Sequence, residues 1–385
     1  MVRPLKIGIT CYPVYGGSGV VATELGKALA LRGHQIHFIA YSMPFRLPHV
    51  RQNIFFHEVP ITTYPLFQYP PYSLSLTGKM VDVVRFEKLD VLHVHYAIPH
   101  AASAVMARSI LREKGIYVPV VTTLHGTDIT IVGQDRSFAP VVSWSINNSD
   151  GVTAVSDYLR QETLLAFDVR GDIEVIHNFI DTERFRRPEK EHFRRALCPK
   201  GEKIIVHVSN FRALKNARHV VDVFHRLHEQ GLALKLLLVG DGPERGDTER
   251  HARALGVYDG IRFLGKQEPV EEILSVADVF LMPSGSESFG LAALEAMACG
   301  VPVVCTEIGG LPELIGDTDA GFLCRLGDVD AYTARTRQLL TDSSLHAHMA
   351  AAARRRAVEH FDELAIIPQY ESFYERVVES SLAFV

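Results

Sequence analysis

The first forty residues constrain the fold more than any other stretch. A short apolar run, a glycine-rich loop, an amphipathic stretch and a second apolar run follow one another without a break. Lys6–Thr10 (KIGIT) reads as a buried strand, and Gly16-Gly17-Ser18-Gly19 is the loop. Val20–Leu31 carries apolar residues at helical spacing and closes at Arg32-Gly33, a helix-stop signal. Gln35–Ala40 is the next strand. Strand, tight loop, helix and strand make a βαβ unit. The alternation continues with Val91–His95 as strand, Ala101–Lys114 as helix, and Val118–Leu124, Gly151–Val155 and Ile173–His177 as strands. This is a doubly wound α/β half.

A second series follows. Ile204–Ser209, Leu234–Val239, Ile261–Leu264, Val279–Met282 and Val301–Thr306 read as strands. Asn216–Gln230, Glu244–Leu255, Val270–Ala277 and Leu291–Ala298 read as the helices between them. A chain of 385 residues suits two large domains at roughly 150 residues each. The charged stretch Asp181–Glu202 is the junction. The expected domains are therefore 1–180 and 181–365, two Rossmann-like halves facing each other across a deep cleft. The tail, 366–385, places Tyr370, Phe373, Tyr374, Val377 and Val378 on one helical face, as a helix crossing back onto the first domain would. Tyr41–Tyr72, crowded with Pro, Phe and Tyr, breaks the pattern and reads as a strand plus an ordered excursion.

Composition excludes several classes. Apolar residues are 47% and charged residues 22%, which is globular and neither disordered nor coiled coil. Forty Lys and Arg against 45 Asp and Glu give −5, with no basic footprint for nucleic acid. Five scattered cysteines without a C-x-x-C read as reduced thiols. The N-terminus shows no signal peptide, and no run of ~18 apolar residues could span a membrane. A cytoplasmic protein is expected.

In open α/β sheets ligands bind beyond the carboxyl ends of the strands. Four stretches lie there. Gly16–Gly19 lets backbone approach an anion, with Ser18 as a donor and a helix N-terminus behind it; a tight turn would also explain it. The sixth position from Gly17 is Ala22, and Ile36–Ala40 ends without an acidic residue for a ribose, which disfavours a dinucleotide site. His125, in Leu124–Asp128, suits proton transfer or a sugar hydroxyl, or is simply a buried turn histidine. Tyr96 lies near the same rim. His93 and His95 share one strand face, as a metal pair would, but no third ligand is obvious, and no metal is expected. Arg212 and Lys215 stand at a helix start, where cations oppose the dipole unless they hold a phosphate; a pair of solvated surface charges is the less favoured alternative. In Glu287–Glu295 the two carboxylates are too far apart for a dyad on one helix face. They suit a ligand lying across a helix N-terminus, with Ser288 to Leu291 offering N–H groups to a diphosphate. Glu295 sits among apolar neighbours, as a buried, ligand-paired carboxylate would.

Glu287-x7-Glu295 around Ser288-Phe289-Gly290, together with Gly16–Gly19, Ser149–Ser156, Val175–Asp181, Leu237–Pro243 and Arg262–Gly265, resembles the retaining family 4 glycosyltransferases over essentially the whole chain. The resemblance implies the GT-B fold and a hexosyltransferase using a UDP-sugar without metal. Within that family, Tyr12–Gly19, His93–His100 and Thr122–Thr130 resemble members that move GlcNAc from UDP-GlcNAc to the hydroxyl of L-malate, the first step of bacillithiol biosynthesis. Carried over by position, Glu295 would hold the ribose of UDP. Glu287 with the backbone of Phe289 and Gly290 would hold the GlcNAc ring, and Arg212 and Lys215 the diphosphate. Gly17, Ser18, Asn210, Gly240, Ser288 and Leu291 would complete the donor site, and the backbone of Arg262 would meet uracil. His125 would sit beside the transferred sugar; His125, Arg212, Lys215 and Glu287 are thus the catalytic candidates. Ser18, Tyr96, Thr123, Thr127 and Arg136 are the malate candidates. Many relatives carry a phosphate-binding arginine where this chain has Asn210, which weakens the role given to Arg212.

Retention has two routes. Asp128 would be the nucleophile of a covalent intermediate. Alternatively, a donor phosphate oxygen takes the acceptor proton as UDP leaves on the same face, the protein supplying position and charge stabilisation. The second is favoured. Other readings are a lipid acceptor, for which 41–72 supplies only Arg46 and Arg51 as cations, a sugar-nucleotide epimerase, and, least favoured, an NAD-dependent dehydrogenase. No nucleic acid and no stable membrane association are expected; a homodimer stays open.

Overall fold

A computed structural model describes residues 3–14, 16–47, 52–61, 69–131, 133, 135–187, 191–316 and 319–382. The chain divides into two compact units. Unit 1 is Met1–Asn178 with Leu364–Val385, and unit 2 is Phe179–Glu363. Each is built on one parallel sheet.

Among the described residues of unit 1 the strands are β1 (Lys6–Thr10), β2 (Gln35–Ala40), β3 (Ile54–Glu58), β4 (Val91–His95), β5 (Val120–Leu124), β6 (Gly151–Ala154) and β7 (Glu174–Val175). They lie in the order β3-β2-β1-β4-β5-β6-β7, all parallel. β4 and β5 are buried along their whole length, as central strands covered on both faces must be. β3 is the edge and is half exposed. Three of the helices are α1 (Gly17–Leu31), α2 (Tyr72–Glu87) and α3 (Ala102–Arg112). Met80, Val84, Ala104 and Leu111 of α2 and α3 pack on Ile39, Leu92 and Val94 of the sheet. Between β4 and α3 a wide turn, Ala97–Ala101, replaces the start of the helix expected from residue 101. Tyr96, at φ 87, makes the turn out of the strand.

The C-terminal helix, Glu363–Leu382, brings Tyr370, Phe373, Tyr374 and Val377 into the core of unit 1, while Val378 is half-buried. A Cβ on Gly151 of β6 would come within 2.7 Å of the Phe373 ring and 2.8 Å of Val377, so only glycine admits this helix there. Glu371 fixes it further by a two-pronged bond to Arg32, at 2.7 and 2.8 Å, and a contact with His34 at 3.1 Å.

Unit 2 has β8 (Lys203–Val208), β9 (Leu234–Val239), β10 (Ile261–Gly265), β11 (Val279–Met282), β12 (Val303–Thr306) and β13 (Gly321–Cys324). The order is β10-β9-β8-β11-β12-β13, again parallel. Phe224, Leu236, Leu238, Leu281 and Tyr332 are in its core. The last strand and helix α2 carry no clear signal of their own in the sequence, whereas the edge β3 falls within 41–72, the stretch that reads as a strand plus an excursion. Within the 41–72 excursion, residues 48–51 and 62–68 lie outside the described residues, as do 188–190 of the junction and Tyr15 of the first motif.

In both sheets the strand order reverses once, at β1/β4 and at β8/β11. Loops leaving neighbouring strands there turn to opposite faces and open a crevice at the strand ends. All five cysteines are free and buried. Among the described residues no helix is long and apolar enough to cross a membrane.

Candidate active site

In unit 2 the loop after β8 and the loop after β11 meet. Leu214 accepts a hydrogen bond from the backbone N–H of Gly285 at 2.7 Å, and Asn216 donates to the Pro283 carbonyl at 2.9 Å. These ties bring Lys215 to Glu287, and the two side chains form a charge pair that is four-fifths or more buried. Two residues from distant stretches are thereby made one group. Below them His207 bridges the strands, with Nδ1 on the Leu281 carbonyl at 2.8 Å and Nε2 on Ser209 Oγ at 2.9 Å. Burial pushes this imidazole down to about 4, so it serves as a neutral strut.

Glycines hold the loops where no side chain would fit. A Cβ on Gly240, at φ 114, would lie 1.8 Å from the Ser209 carbonyl. The Gly240 N–H is taken by the Gly265 carbonyl at 2.7 Å, so this residue shapes the donor candidates and offers them no amide. A Cβ on Gly309 would lie 1.8 Å from the Glu287 carbonyl, which also accepts from Gly310 N–H at 3.0 Å. Gly309 and Gly310 were not among the sequence candidates; a Gly-Gly turn just past a strand end was the available signal.

The helix Leu291–Ala298 starts at Gly290, with φ +100. Its first intrahelical bonds are donated by Ala293 and Leu294 to Gly290, leaving the N–H groups of Leu291 and Ala292 outside the ladder. Phe289 is buried, its ring edge-on to Phe361 at 5.5 Å, which anchors the turn. Glu295 is buried and Ser288 half-buried. Arg212 is exposed, and among the described residues its side chain makes no hydrogen bond or ion pair. Asn210 Oδ1 is buried without a partner, an acceptor that a ligand hydroxyl would satisfy. Arg262 is exposed on β10.

In unit 1 the loops after β1, β4 and β5 converge. Ser18 Oγ and the Tyr96 hydroxyl are 2.7 Å apart, and the Thr127 side chain lies beside that hydroxyl. Burial raises the Tyr96 phenol to about 12, so it stays protonated. A Cβ on Gly19 would meet the Tyr12 carbonyl at 2.6 Å, whereas Gly16 and Gly17 face open space. The His125 ring lies 5.4 Å from that of Tyr96. Its Nε2 bonds to His95 Nδ1 at 2.7 Å, and burial pushes the imidazole down to about 3, so it is neutral. Ser18, Tyr96, Thr127 and His125 thus form one group.

Thr123 is not part of it. It is fully buried on β5, with its hydroxyl on His93 Nε2 and Thr153 Oγ1, both at 2.7 Å. His93 spends its other nitrogen on the Tyr374 hydroxyl at 2.7 Å. His93 and His95 therefore hold different partners and do not converge as metal ligands. Arg136 is exposed in the turn before the helix Ala139–Asn147, and no hydrogen bond or ion pair among the described residues joins it to the Ser18 group. Asp128 is buried, with Oδ2 accepting from Ala97 N–H at 2.8 Å and Oδ1 from Gly126 N–H at 3.0 Å. Burial raises its carboxyl to about 6 despite these donors. Both oxygens are committed to shaping the loops, which leaves the residue poorly disposed to attack an anomeric carbon.

Residues 15–184 match the model of Glycosyltransferase Family 4, and residues 188–356 match that of Glycosyl transferases group 1. The N-acetyl-alpha-D-glucosaminyl L-malate synthase of Bacillus anthracis is 47% identical over 97% of this chain and 97% of its own. The chain belongs to the family 4 glycosyltransferases, and it is a hexosyltransferase. An uncharacterised glycosyltransferase of Methanocaldococcus jannaschii is 26% identical over 96% of this chain and 97% of its own. Among solved structures, Anabaena HepE in complex with UDP and glucose aligns with a TM-score of 0.80 at 21% identity, covering 96% of this chain and 98% of its own. Sucrose-phosphate synthase of Thermosynechococcus elongatus aligns at 0.80 and 21%, covering 98% and 100%. These neighbours show the GT-B fold, of two Rossmann-like domains.

Proposed function

We propose that the chain transfers N-acetylglucosamine from UDP-GlcNAc to the hydroxyl of L-malate, with retention at the anomeric carbon, as the first step of bacillithiol biosynthesis. The observation that carries this reading is the 47% identity, over 97% of both chains, to the B. anthracis L-malate synthase. Unit 2 would hold the donor. The N–H groups of Leu291 and Ala292 and the Lys215 ammonium are suited to the diphosphate, with exposed Arg212 as a second cation. Glu295 would take the ribose hydroxyls, Glu287 and the backbone of Phe289 and Gly290 the sugar hydroxyls, and the Arg262 backbone the uracil. Ser288, Asn210, Gly17 and Ser18 complete the donor contacts we propose.

Unit 1 would hold malate. Ser18, Tyr96 and Thr127 offer hydroxyl groups, α1 presents the N–H groups of its first turn to a carboxylate, and Arg136 is a further candidate cation. Neutral His125 would orient the sugar by a hydrogen bond instead of carrying charge. The commitment of both Asp128 oxygens supports same-face attack: the malate hydroxyl bonds to the anomeric carbon, its proton passes to a phosphate oxygen, and UDP leaves. The protein's contribution is then positioning and stabilisation of charge on the departing diphosphate. The reading also carries a cytoplasmic location and no metal requirement; a homodimer is likewise a proposal.

The test is UDP release from UDP-GlcNAc with and without L-malate. Release that depends on malate, with an α-linked product, is expected. Release that ignores malate, conversion of UDP-GlcNAc without an acceptor, or no release with malate would overturn the reading.

A further inference from the structure

At the β2–β3 edge of unit 1, outside the groups described above, three ligand-type side chains come together. His37 lies on β2, His57 on β3, and Glu87 is the last residue of α2. The register pairs His37 with Phe55 and Ile39 with His57, so the two imidazoles are diagonal neighbours on one sheet face. His37 Nδ1 and His57 Nε2 are 2.9 Å apart, the rings stacked with centroids 5.2 Å apart. One ligand atom from each of the three residues lies within 4.8 Å of the others. His37 is buried, and the other two are half-buried.

The chemistry of the group suits a cation. Burial pushes His37 down to about 4 and His57 below its ordinary value, so both rings are neutral near pH 7 and have lone pairs to give. Two facing neutral nitrogens can share only one proton. His37 Nε2 has no partner, so no protein group fixes the tautomer. The Glu87 carboxylate makes no hydrogen bond or ion pair among the described residues, and it stands in the last turn of α2, where the helix dipole disfavours an anion. Lys6 and Lys79 help keep the rings unprotonated. Their charge also opposes a bound cation, so all three ligands are needed to hold one.

We propose that His37, His57 and Glu87 form a binding site for a divalent transition metal, Zn2+ being the best match, with solvent completing the shell. Two imidazoles and one carboxylate are a zinc donor set, whereas Mg2+ and Ca2+ prefer oxygen ligands alone. The ion would tie the edge strand β3, whose only sheet neighbour among the described residues is β2, to the end of α2. The site touches none of the residues assigned to the transfer reaction.

The test uses the full chain stripped with a chelator and titrated with Zn2+ by calorimetry, alongside thermal unfolding. One Zn2+ per chain and a raised unfolding midpoint, with no effect of Mg2+, are expected. His57→Gln and Glu87→Gln should each weaken binding by about tenfold or more with malate-dependent UDP release unchanged. Co2+ in the unaltered chain should give tetrahedral d–d bands without a thiolate charge-transfer band, a readout that stands even if a variant fails to fold. Absence of stoichiometric binding, equal binding in both variants, or a thiolate band would overturn the proposal.

Discussion

Lys215 and Glu287 stand 72 residues apart and share a mostly buried charge pair, so each is the other's counter-ion before any substrate arrives. Lys215→Ala removes a cation aimed at the leaving group and strands a carboxylate in a half-dry site. We expect kcat to fall by a barrier equivalent of roughly 2–4 kcal/mol, measured at saturating UDP-GlcNAc. Glu295→Ala should act differently, raising KM for UDP-GlcNAc with a smaller change in kcat, because ribose contacts are made in the ground state as well as the transition state. Unchanged steady-state constants for either variant would unseat the donor assignment. Both residues were legible in the sequence, since carboxylates and cations just past apolar strands have few structural reasons to be there. Thr123 and Asp128 show what was not legible. A threonine at the end of a strand and an aspartate in the following loop look alike whether they face a substrate or the protein. Register with His95 and Thr153, and the amides of Ala97 and Gly126, settle which way they are spent.

At the scale of elements, the alternation of apolar runs and helical patterns located most strands to within a residue or two. The edge β3 was legible only as a strand somewhere within 41–72, because it is short and mixed in character, and α2 escaped because its start follows an irregular stretch. The wide turn after β4 escaped because Tyr96 adopts a left-handed conformation that no local residue type announces. The clamp of Gly309 and Gly310 on Glu287 belongs to this scale: two loops share a gap narrower than one methyl group. Gly309→Ala must push the Glu287 loop away from the start of the helix Leu291–Ala298. Circular dichroism should remain native while kcat/KM for UDP-GlcNAc drops at least as far as in Lys215→Ala. Retained activity would mean that the loop yields without moving Glu287.

For the whole molecule, buried histidines set the acid limit. His93 and His125 are pushed down to about 3, and His100 and His207 to about 4, all by burial. In the unfolded chain each titrates near 6.5. Between those values the unfolded state binds more protons, so stability falls as pH drops, by about 1.4 kcal/mol per pH unit for each group. Asp128 works in the opposite sense between its ordinary value and about 6, because there the native state holds the extra proton, and it offsets one histidine. Denaturant midpoints should therefore fall steeply from pH 6.5 to 4.5; a flat profile would contradict the burial of these rings. The return of the last helix to unit 1 also has a consequence in time. During synthesis unit 2, 185 residues long, emerges between the two parts of unit 1. At ~5–20 residues per second the ribosome needs roughly 9–37 s to make it. Throughout that interval Gly151, Thr153 and His93 lack the tyrosines and phenylalanine that will cover them. The nascent first sheet must wait with an apolar face open, which makes it a natural client for a chaperone until residue 377 has left the exit tunnel.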